Sequence, residues 1–237
     1  MLRPRLKICG VASPASAEQL DGLVSYVGTV VAPPGLSPRA VTAAVARAVA
    51  DTLHSSTHVT VAAGMGPWEA LEAALEAGSG VLQPHMELGP GILEQLLVEA
   101  ESRGLRVAPV LVYRGRGGWA GRLREVRAVV ENYRGIVEYV LIDAAKGAPP
   151  RPQGQWWGLR VPGEALREAV EALRGAATVA AAGGVSAENA CRAVELGAGM
   201  VDVSSWADHP GMPGVKDLGR VALLVEALRA CGGGRGR

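Results

Sequence analysis

A regular alternation of short apolar segments with longer amphipathic segments constrains the fold of this chain more than any other feature. Short runs rich in Val, Ile, Leu and Ala are typical of buried strands, and the stretches between them have helical spacing. The pattern predicts strands at 6–9, 26–31, 58–62, 80–83, 106–112, 138–142, 178–182 and 200–203. It predicts helices at 14–22, 39–53, 67–77, 89–103, 119–133, 163–173, 186–196 and 216–230.

Eight strands, each followed by a helix, in a chain of 237 residues predict an α/β fold. The expected architecture is a single (β/α)8 TIM barrel over residues 1–231, a parallel eight-stranded barrel with outer helices, followed by a disordered tail at 232–237. Continuous apolar runs such as 179–182 are typical of parallel strands buried on both faces. A doubly wound open sheet is the alternative, but it usually has fewer strands at this length, and no G-x-G-x-x-G follows the first strand.

Several predicted helices carry start signals in the sequence. Proline follows Ser13, Ser37 and Gly66 at predicted helix entrances, where its missing N–H costs no hydrogen bond. Ser186 precedes the seventh predicted helix and is a candidate N-cap.

The charge balance excludes some classes of partner. Lys and Arg number 24 and Asp and Glu number 23, so the net charge of +1 predicts no broad basic surface for nucleic acid or an acidic membrane. No run approaches the roughly 18 apolar residues of a membrane span. The basic N-terminus leads directly into a strand, so no signal peptide is expected. A small anionic ligand remains compatible with this charge, and we expect a monomer or a homodimer.

Cysteine and histidine usage argues against disulfides and metal. Cys9, Cys191 and Cys231 lie far apart and form no even-numbered set, which favours a reducing cytoplasm over a disulfide-stapled protein. The histidines show no metal-ligand spacing with a partner, so no metal is expected.

Polar residues and glycines are concentrated at the carboxyl ends of the predicted strands. In an α/β barrel these ends form the rim that carries the active site. The residues at this rim are Cys9, Arg39, Gln83, His85, Asp143, Gly183, Gly184, Ser204 and Ser205. A chance distribution would not place so many polar residues and glycines at one rim.

The last four of these residues predict a phosphate site. Gly183 and Gly184 follow the seventh strand, and glycine lets backbone N–H groups approach an anion closely. Alone, the glycine pair is equally consistent with a tight turn. Ser204 and Ser205 after the eighth strand favour phosphate, because barrels often bind it with these two loops.

Cys9 and Asp143 are candidates for proton transfer. A lone cysteine is more often a small buried apolar residue, and an aspartate often simply begins a loop. Lys7, however, lies two residues before Cys9 and shares its strand face, where an ammonium would favour the thiolate. A base at Cys9 facing an acid at Asp143 would suit proton transfers on a sugar phosphate.

Strand parity predicts a buried ion pair beneath this rim. Lys7 precedes Cys9 by two residues, and Asp202 precedes Ser204 by two. If Cys9 and Ser204 face the barrel mouth, Lys7 and Asp202 face the interior one layer lower, on strands that closure makes neighbours. An unpaired charge there would be costly, so we expect Lys7 to pair with Asp202.

The same motifs, taken together, carry a family resemblance. The chain resembles phosphoribosylanthranilate isomerases, because these motifs occur in the order typical of that family across nearly the whole chain. The matching segments are K-I-C-G at 7–10, S-P-R at 37–39, Q-P-H at 83–85, L-I-D at 141–143, A-G-G-V-S-A-E-N at 182–189, V-D-V-S-S at 201–205 and P-G-V-K-D at 213–217.

The resemblance implies a cofactor-free Amadori rearrangement in tryptophan biosynthesis. It implies that Cys9 is the general base, Asp143 the general acid, and Arg39 the group that binds the anthranilate carboxylate. Gln83 and His85, which share one strand face in the Q-P-H segment, are predicted to bind substrate, although a lone histidine at such a position is more often structural. The implied phosphate-binding residues are Gly183, Gly184, Ser204, Ser205 and Gly154.

The sequence departs from the family at the loop after the sixth strand. A proline-rich stretch at 148–157 replaces the usual glycine-rich loop, and Gly154 and the tryptophan end are what still correspond. Another phosphate-binding barrel isomerase, the histidine-pathway aminoaldose isomerase, is a second interpretation, disfavoured because it carries paired aspartates at strands one and five. A catalytically silent barrel that serves as a binding subunit is a third.

Overall fold

The computed structural model describes residues 4–144 and 159–231. Twelve strands lie in these ranges. They are β1 (Arg5–Cys9), β2 (Tyr26–Val31), β3 (Ala40–Val41), β4 (Thr57–Ala62), β5 (Val81–Pro84), β6 (Arg106–Val107), β7 (Val110–Tyr113), β8 (Val140–Ala144), β9 (Val179–Ala181), β10 (Met200–Val203), β11 (Asp208–His209) and β12 (Met212–Lys216). The predicted tail at 232–237 lies outside the described residues.

Eight α-helices follow the strands within the same ranges, and short 3-10 turns lie at Glu131–Tyr133 and Ser205–Ala207. The helices are α1 (Pro14–Leu20), α2 (Ala43–Ala50), α3 (Pro67–Glu76), α4 (Pro90–Ser102), α5 (Trp119–Val130), α6 (Gly163–Ala172), α7 (Ala190–Glu195) and α8 (Leu218–Cys231). No described helix has both the length and the apolar character needed to cross a membrane.

The main sheet is parallel and curled. Its strands run in the order β6-β5-β4-β2-β1-β10-β9-β8-β7, with β3 beside β2. β1 pairs with β10 as well as with β2, so the first predicted strand neighbours the last, and Lys7 lies directly beside Asp202. The prediction of an α/β fold with a parallel sheet and helices is confirmed at this level.

Apolar side chains form separate layers on the two faces of the sheet. Leu6 and Ile8 of β1 belong to a large cluster that includes the buried faces of the helices. Cys9 of the same strand belongs to a smaller cluster whose members lie on strands or directly beside them. Since side chains alternate along a strand, Lys7 shares the concave face with Cys9.

Some predicted helix starts are correct and others are wrong. Ser13 accepts a hydrogen bond from the Ser16 amide and caps α1, as its position before proline predicts. The predicted start at Ser37-Pro38 is wrong, because Ala40–Val41 pairs with β2 as a short strand. Thr42 caps α2 instead, accepting a hydrogen bond from an amide in the first turn.

Ser186 is not the N-cap of α7, which begins four residues later. A turn comes first, in which Asn189 Oδ1 accepts a hydrogen bond from the Ser186 amide at 2.9 Å. The Asn189 Nδ2 group donates to the Gly184 carbonyl, also at 2.9 Å. The chain after β9 therefore folds into a compact loop that lies beside the glycine pair.

Two further predictions of the elements need correction. The strand predicted at 106–112 is divided into β6 and β7 at Pro109, which has no N–H to donate to a neighbouring strand. The helix predicted from residue 216 begins at Leu218, because Lys216 ends β12, a strand of the β11–β12 hairpin.

The argument against disulfides is wrong for two of the three cysteines. Cys191 in α7 and Cys231 at the end of α8 form a disulfide with their Cα atoms 5.4 Å apart. They lie 40 residues apart in sequence, but the packing of α7 against α8 brings them together. Cysteine count therefore gives no support to a reducing location.

A histidine that the sequence left without a role anchors a buried polar cluster. His58 in β4 is buried, its Nε2 atom lies 3.0 Å from Thr29 Oγ1, and its Nδ1 atom lies 2.7 Å from Ser79 Oγ. Ser79 Oγ in turn contacts Thr60 Oγ1 at 2.6 Å. Burial lowers the pKa of His58 to about 4.

We predict that His58 makes folding sensitive to mild acid. An unfolded histidine titrates near pH 6.5, so between about pH 6.5 and 4 the unfolded chain takes up a proton that the folded chain does not. Stability is therefore lost as the pH falls through this window, by roughly 3 kcal/mol. Urea unfolding of wild type and His58→Gln between pH 7 and pH 4 measures the difference. His54→Gln, at an exposed histidine, is the matched control, and equal pH slopes for wild type and His58→Gln would contradict the prediction.

Candidate active site

A cavity of about 460 Å³ opens at the carboxyl ends of the strands. This volume suits a small organic ligand. Its wall includes every predicted site residue that lies in the described part of the chain. These are Cys9, Arg39, Gln83, His85, Asp143, Gly183, Gly184, Ser204 and Ser205. Gly154 lies outside the described residues.

The predicted ion pair lies beneath this cavity and is confirmed. Lys7 is fully buried, and its Nζ lies 2.7 Å from Asp202 Oδ2. Lys7 also donates to Gln83 Oε1 at 2.9 Å, and the Tyr139 hydroxyl donates to the same oxygen at 2.9 Å. Burial opposes the charge on Lys7, but Asp202, together with Cys9 and Tyr139, outweighs burial and raises the pKa of Lys7.

The thiol of Cys9 lies directly above this pair and is 8% exposed. Burial raises the pKa of Cys9, while the charge of Lys7 opposes the shift without cancelling it. The charge of Lys7 does favour the thiolate, as the sequence predicts, but burial outweighs this effect in the resting site. Lys7 reduces the cost of ionising Cys9, but the neutral thiol prevails near pH 7.

Asp143 lies on β8, and the strands β10 and β9 separate it from β1. Its Oδ1 accepts a hydrogen bond from the Ala144 amide at 2.7 Å, and its Oδ2 lies 4.0 Å from His85 Nε2. Burial raises the pKa of Asp143, although the Ala144 amide and the charge of His85 oppose the shift. The protonated, proton-donating form therefore persists to higher pH than in an ordinary aspartate.

Gly183 has a structural requirement that the sequence did not reveal. Its φ of +81° lies in the left-handed region, and a Cβ atom there would come within 2.7 Å of Asp143 Oδ1. A larger residue would displace the carboxyl group of Asp143 or the loop. The neighbouring Gly184 has a φ of +79°, so the glycine pair forms a turn against Asp143 and also lines the cavity.

The serines lie on the adjacent loop. Ser204 follows β10, and Ser205 begins the 3-10 turn Ser205–Ala207. The first N–H groups of a helical turn have no partner within the turn, so they are suited to bind an anion. Both serines share the cavity with the glycine pair, as the sequence predicts.

Arg39 reaches the cavity from the loop between β2 and β3. Its Nε lies 2.7 Å and its Nη2 2.5 Å from Asp208 Oδ2. The side chain passes over Gly10, where a Cβ atom would lie 2.5 Å from Arg39 Cδ. Gly10 is therefore needed for this approach, and its φ of +74° also favours glycine.

Sequence reasoning gave no role to three charged residues at or beside the cavity. Asp208 and Lys216 form a buried ion pair of 2.5 Å at the β11–β12 hairpin. Arg160 lines the cavity, and its amide donates to the Gly183 carbonyl at 2.9 Å. The P-G-V-K-D segment at 213–217 marked Lys216 as part of a motif, but no local pattern indicated what it contacts.

The chain is similar in sequence and in structure to phosphoribosylanthranilate isomerases. A curated N-(5'-phosphoribosyl)anthranilate isomerase of Pyrobaculum islandicum is 40% identical over 224 residues, which cover 94% of this chain and 97% of the relative. That of Pyrobaculum aerophilum is 36% identical over 224 residues, with the same coverage. The crystal structure of phosphoribosyl anthranilate isomerase from Thermus thermophilus superposes with a TM-score of 0.70 at 26% identity, covering 95% of this chain and 98% of that one. No family model matches the chain.

We predict that breaking the Lys7–Asp202 pair destabilises the fold. Lys7→Met leaves a buried carboxylate without its cation, which should lower the free energy of unfolding by about 3–5 kcal/mol. Lys7→Met/Asp202→Leu removes both charges and should recover part of that loss, as urea unfolding would measure. Arg47→Met breaks the exposed Arg47–Asp51 pair and is the control, with an expected loss below about 1 kcal/mol. A double variant no more stable than Lys7→Met would refute the role of charge pairing.

Proposed function

Because this chain belongs to the N-(5'-phosphoribosyl)anthranilate isomerase family, we propose that Cys9 and Asp143 are its catalytic base and acid. The reaction is an Amadori rearrangement in tryptophan biosynthesis. It converts N-(5'-phosphoribosyl)anthranilate to 1-(2-carboxyphenylamino)-1-deoxyribulose 5-phosphate and uses no cofactor. One observation carries the assignment: a thiol and a carboxyl group, both with raised pKa values, border one cavity on separate strands.

Asp143 acts first in the proposed sequence. Its raised pKa suits it to protonate the ribose ring oxygen, which opens the ring and leaves a Schiff base between C1′ and the anthranilate nitrogen. The iminium form of that Schiff base places a positive charge in the cavity. A positive charge near a thiol favours the thiolate, so opening the ring makes Cys9 a better base than it is in the resting site.

Cys9 then removes the proton from C2′. The electron pair of that C–H bond moves toward the iminium nitrogen and gives an enolamine, which tautomerises to the 1-deoxyribulose product. The substrate nitrogen is the electron sink, so the step requires no added oxidant or reductant. Lys7 assists by stabilising negative charge on the sulfur, because it lowers the pKa that burial raises.

Substrate binding uses the remaining cavity residues. Arg39 is proposed to bind the anthranilate carboxylate, since a guanidinium matches a carboxylate in shape and charge. His85 lies beside the acid and is proposed to contact the substrate there. Gln83 is proposed to border the substrate from below, with its oxygen directed to Lys7.

The phosphate is proposed to bind between the two loops after β9 and β10. The supporting features are two adjacent left-handed glycines and the start of a 3-10 turn within one cavity. The residues are Gly183, Gly184, Ser204 and Ser205, and Gly154 stays a prediction from the family resemblance.

We further propose that residues 1–231 form one domain built as a closed eight-stranded barrel. The strands β6 and β7, which end the sheet order, are separated by Ala108 and Pro109 alone. Val107 pairs with Leu82 on one side and Val137 on the other, and the Pro109 carbonyl accepts from the Leu141 amide at 2.8 Å. Counting β6 and β7 as one strand gives eight, and β3 lies outside that count.

The partner and location predictions have different support. The family supports a small phosphorylated substrate as the partner. The choice between monomer and homodimer stays a prediction. The cytoplasmic location also stays a prediction, and it no longer has the cysteine argument, because Cys191 and Cys231 are joined.

We predict that both catalytic variants lose turnover and that replacing Asp143 also changes the pH dependence. Cys9→Ser and Asp143→Asn should each lower kcat by about 10²–10⁴-fold while substrate binding changes little. Without Asp143 to titrate, the residual rate of Asp143→Asn should keep rising with pH until Cys9 ionises. The ratio of its kcat/KM to that of wild type should therefore rise about tenfold per pH unit above the Asp143 pKa. Loss of anthranilate fluorescence measures both, and a flat ratio across that range would argue against Asp143 as the acid.

We also predict where an anion binds. Inorganic phosphate or sulfate in a crystal should lie against the backbone N–H groups of Gly184 and Ser205. Phosphate should also inhibit turnover competitively, and Gly184→Ala should weaken that inhibition because φ at this position is +79°. Gly91→Ala, a helical glycine in open space, is the control. An anion bound elsewhere, with this site empty at saturating phosphate, would contradict the assignment.

A further inference from the structure

Asp208 connects two cations at the edge of the cavity. Its Oδ2 accepts a hydrogen bond from Arg39 Nε at 2.7 Å and lies 2.5 Å from Arg39 Nη2. Its Oδ1 accepts a hydrogen bond from Lys216 Nζ at 2.5 Å. Asp208 and Lys216 are both buried, whereas the Arg39 side chain is 18% exposed. One carboxylate therefore holds one cation inside the protein and another at the cavity mouth.

Lys216 ties this carboxylate to two strand ends of the active site. Its Nζ donates to the Cys9 carbonyl at 2.6 Å and to the Ser204 carbonyl at 3.4 Å. Cys9 ends β1, and Ser204 directly follows β10. The same ammonium group thus contacts the backbone of the proposed base and the backbone of the proposed phosphate loop.

The hairpin that carries Asp208 and Lys216 is itself held in place. Asp208 pairs with Lys216 across the antiparallel β11–β12 ladder. Arg220 of α8 donates through Nη1 to the carbonyls of Asp208 and Trp206, both at 3.0 Å. Gly214 approaches so closely that a Cβ atom there would lie 2.9 Å from Ala12 Cβ. A carboxylate on so fixed a support can define the position of a longer, flexible side chain.

We propose that Asp208 is the positioning residue for Arg39, and that Lys216 fixes Asp208 relative to Cys9 and Ser204. The inference rests on the proposed function, because Arg39 is there the group that binds the substrate carboxylate. Two guanidinium nitrogens contact Asp208, and Nη1 is the third. Asp208 therefore orients the guanidinium so that Nη1 meets the substrate carboxylate. Lys216 sets the distance between this group and Cys9.

The charges fit this role. Arg39 and Lys216 contribute two positive charges and Asp208 one negative charge, so the group keeps an excess of one positive charge. This excess positive charge attracts the carboxylate of the substrate. A second acidic residue in the group would remove the excess and weaken that attraction. Burial lowers the pKa of Lys216 and Asp208 opposes that shift, so Asp208 favours the charged form of Lys216.

Asp208→Asn tests the inference with two unreactive ligands. One is the borohydride-reduced product, and the other is its counterpart without the ring carboxylate. If Asp208 acts through Arg39, Asp208→Asn should raise Kd for the first ligand about tenfold, the scale of one charge-assisted hydrogen bond. It should leave Kd for the second within about twofold of the wild-type value. Calorimetric titration measures both without requiring turnover.

A double-mutant cycle then tests the pathway through Arg39. In an Arg39→Gln background, adding Asp208→Asn should change neither Kd further, because the group to be positioned is gone. In the assay, Asp208→Asn should raise KM more than it lowers kcat, whereas Lys216→Met should lower kcat as well. Asp51→Asn removes an exposed carboxylate that is paired with Arg47 and should change nothing.

The outcomes separate this inference from the proposed function. A wild-type protein that neither binds the reduced product nor turns over phosphoribosylanthranilate would overturn the proposed function. A wild type that does both, with an Asp208→Asn that weakens both ligands equally or neither, would overturn the positioning role alone. If Asp208→Asn does not fold, Asp208→Glu should show the same carboxylate-selective loss. Failure of both variants to fold would make Asp208 a stability residue and would also overturn the positioning role.

Discussion

The buried pair of Lys7 and Asp202 is the interaction on which the active site depends. Two charges buried at the base of the cavity would be costly if they were separated, so their 2.7 Å contact requires β1 and β10 to stay in register. That register places Cys9 and Ser204 at the same rim. Gln83 and Tyr139 extend the pair across the interior through one shared oxygen. The floor of the site is therefore a polar cluster within an apolar layer.

The same cluster sets a compromise in the chemistry. Burial that excludes water from the cavity raises the pKa of both Cys9 and Asp143. This favours the role proposed for Asp143 as the acid, which must hold its proton, and opposes the role proposed for Cys9 as the base, which must lose one. The charge of Lys7 reduces the cost for Cys9, and the iminium charge proposed for the intermediate would reduce it further. In the proposed mechanism the base is thus weak at rest and becomes stronger after Asp143 has protonated the substrate.

Much of the fold and the site followed from local patterns. Apolar runs and helical spacing located the elements to within a few residues, and parity along β1 and β10 predicted the Lys7–Asp202 contact. Both inferences rest on the fixed geometry of a strand, in which alternate residues share a face. Predictions from local sequence failed where a segment pairs with another strand. Ser37-Pro38 has the sequence of a helix start, but Ala40–Val41 is extended because it pairs with β2, and α2 therefore begins later in the chain.

By itself the sequence determined the parallel α/β pattern and the residues at the strand ends, because these depend on short-range periodicity. It also predicted the pair of Lys7 and Asp202, 195 residues apart, because strand parity gives the facing side chains once the first and last strands are taken as neighbours. The tertiary structure decided what meets across long separations. It joined Cys191 to Cys231 through the packing of α7 on α8, and it brought Asp208 to Arg39, 169 residues away in sequence. It also decided the direction of the Cys9 pKa, because the cost of burial depends on everything that surrounds the thiol and a motif specifies only its neighbours along the chain.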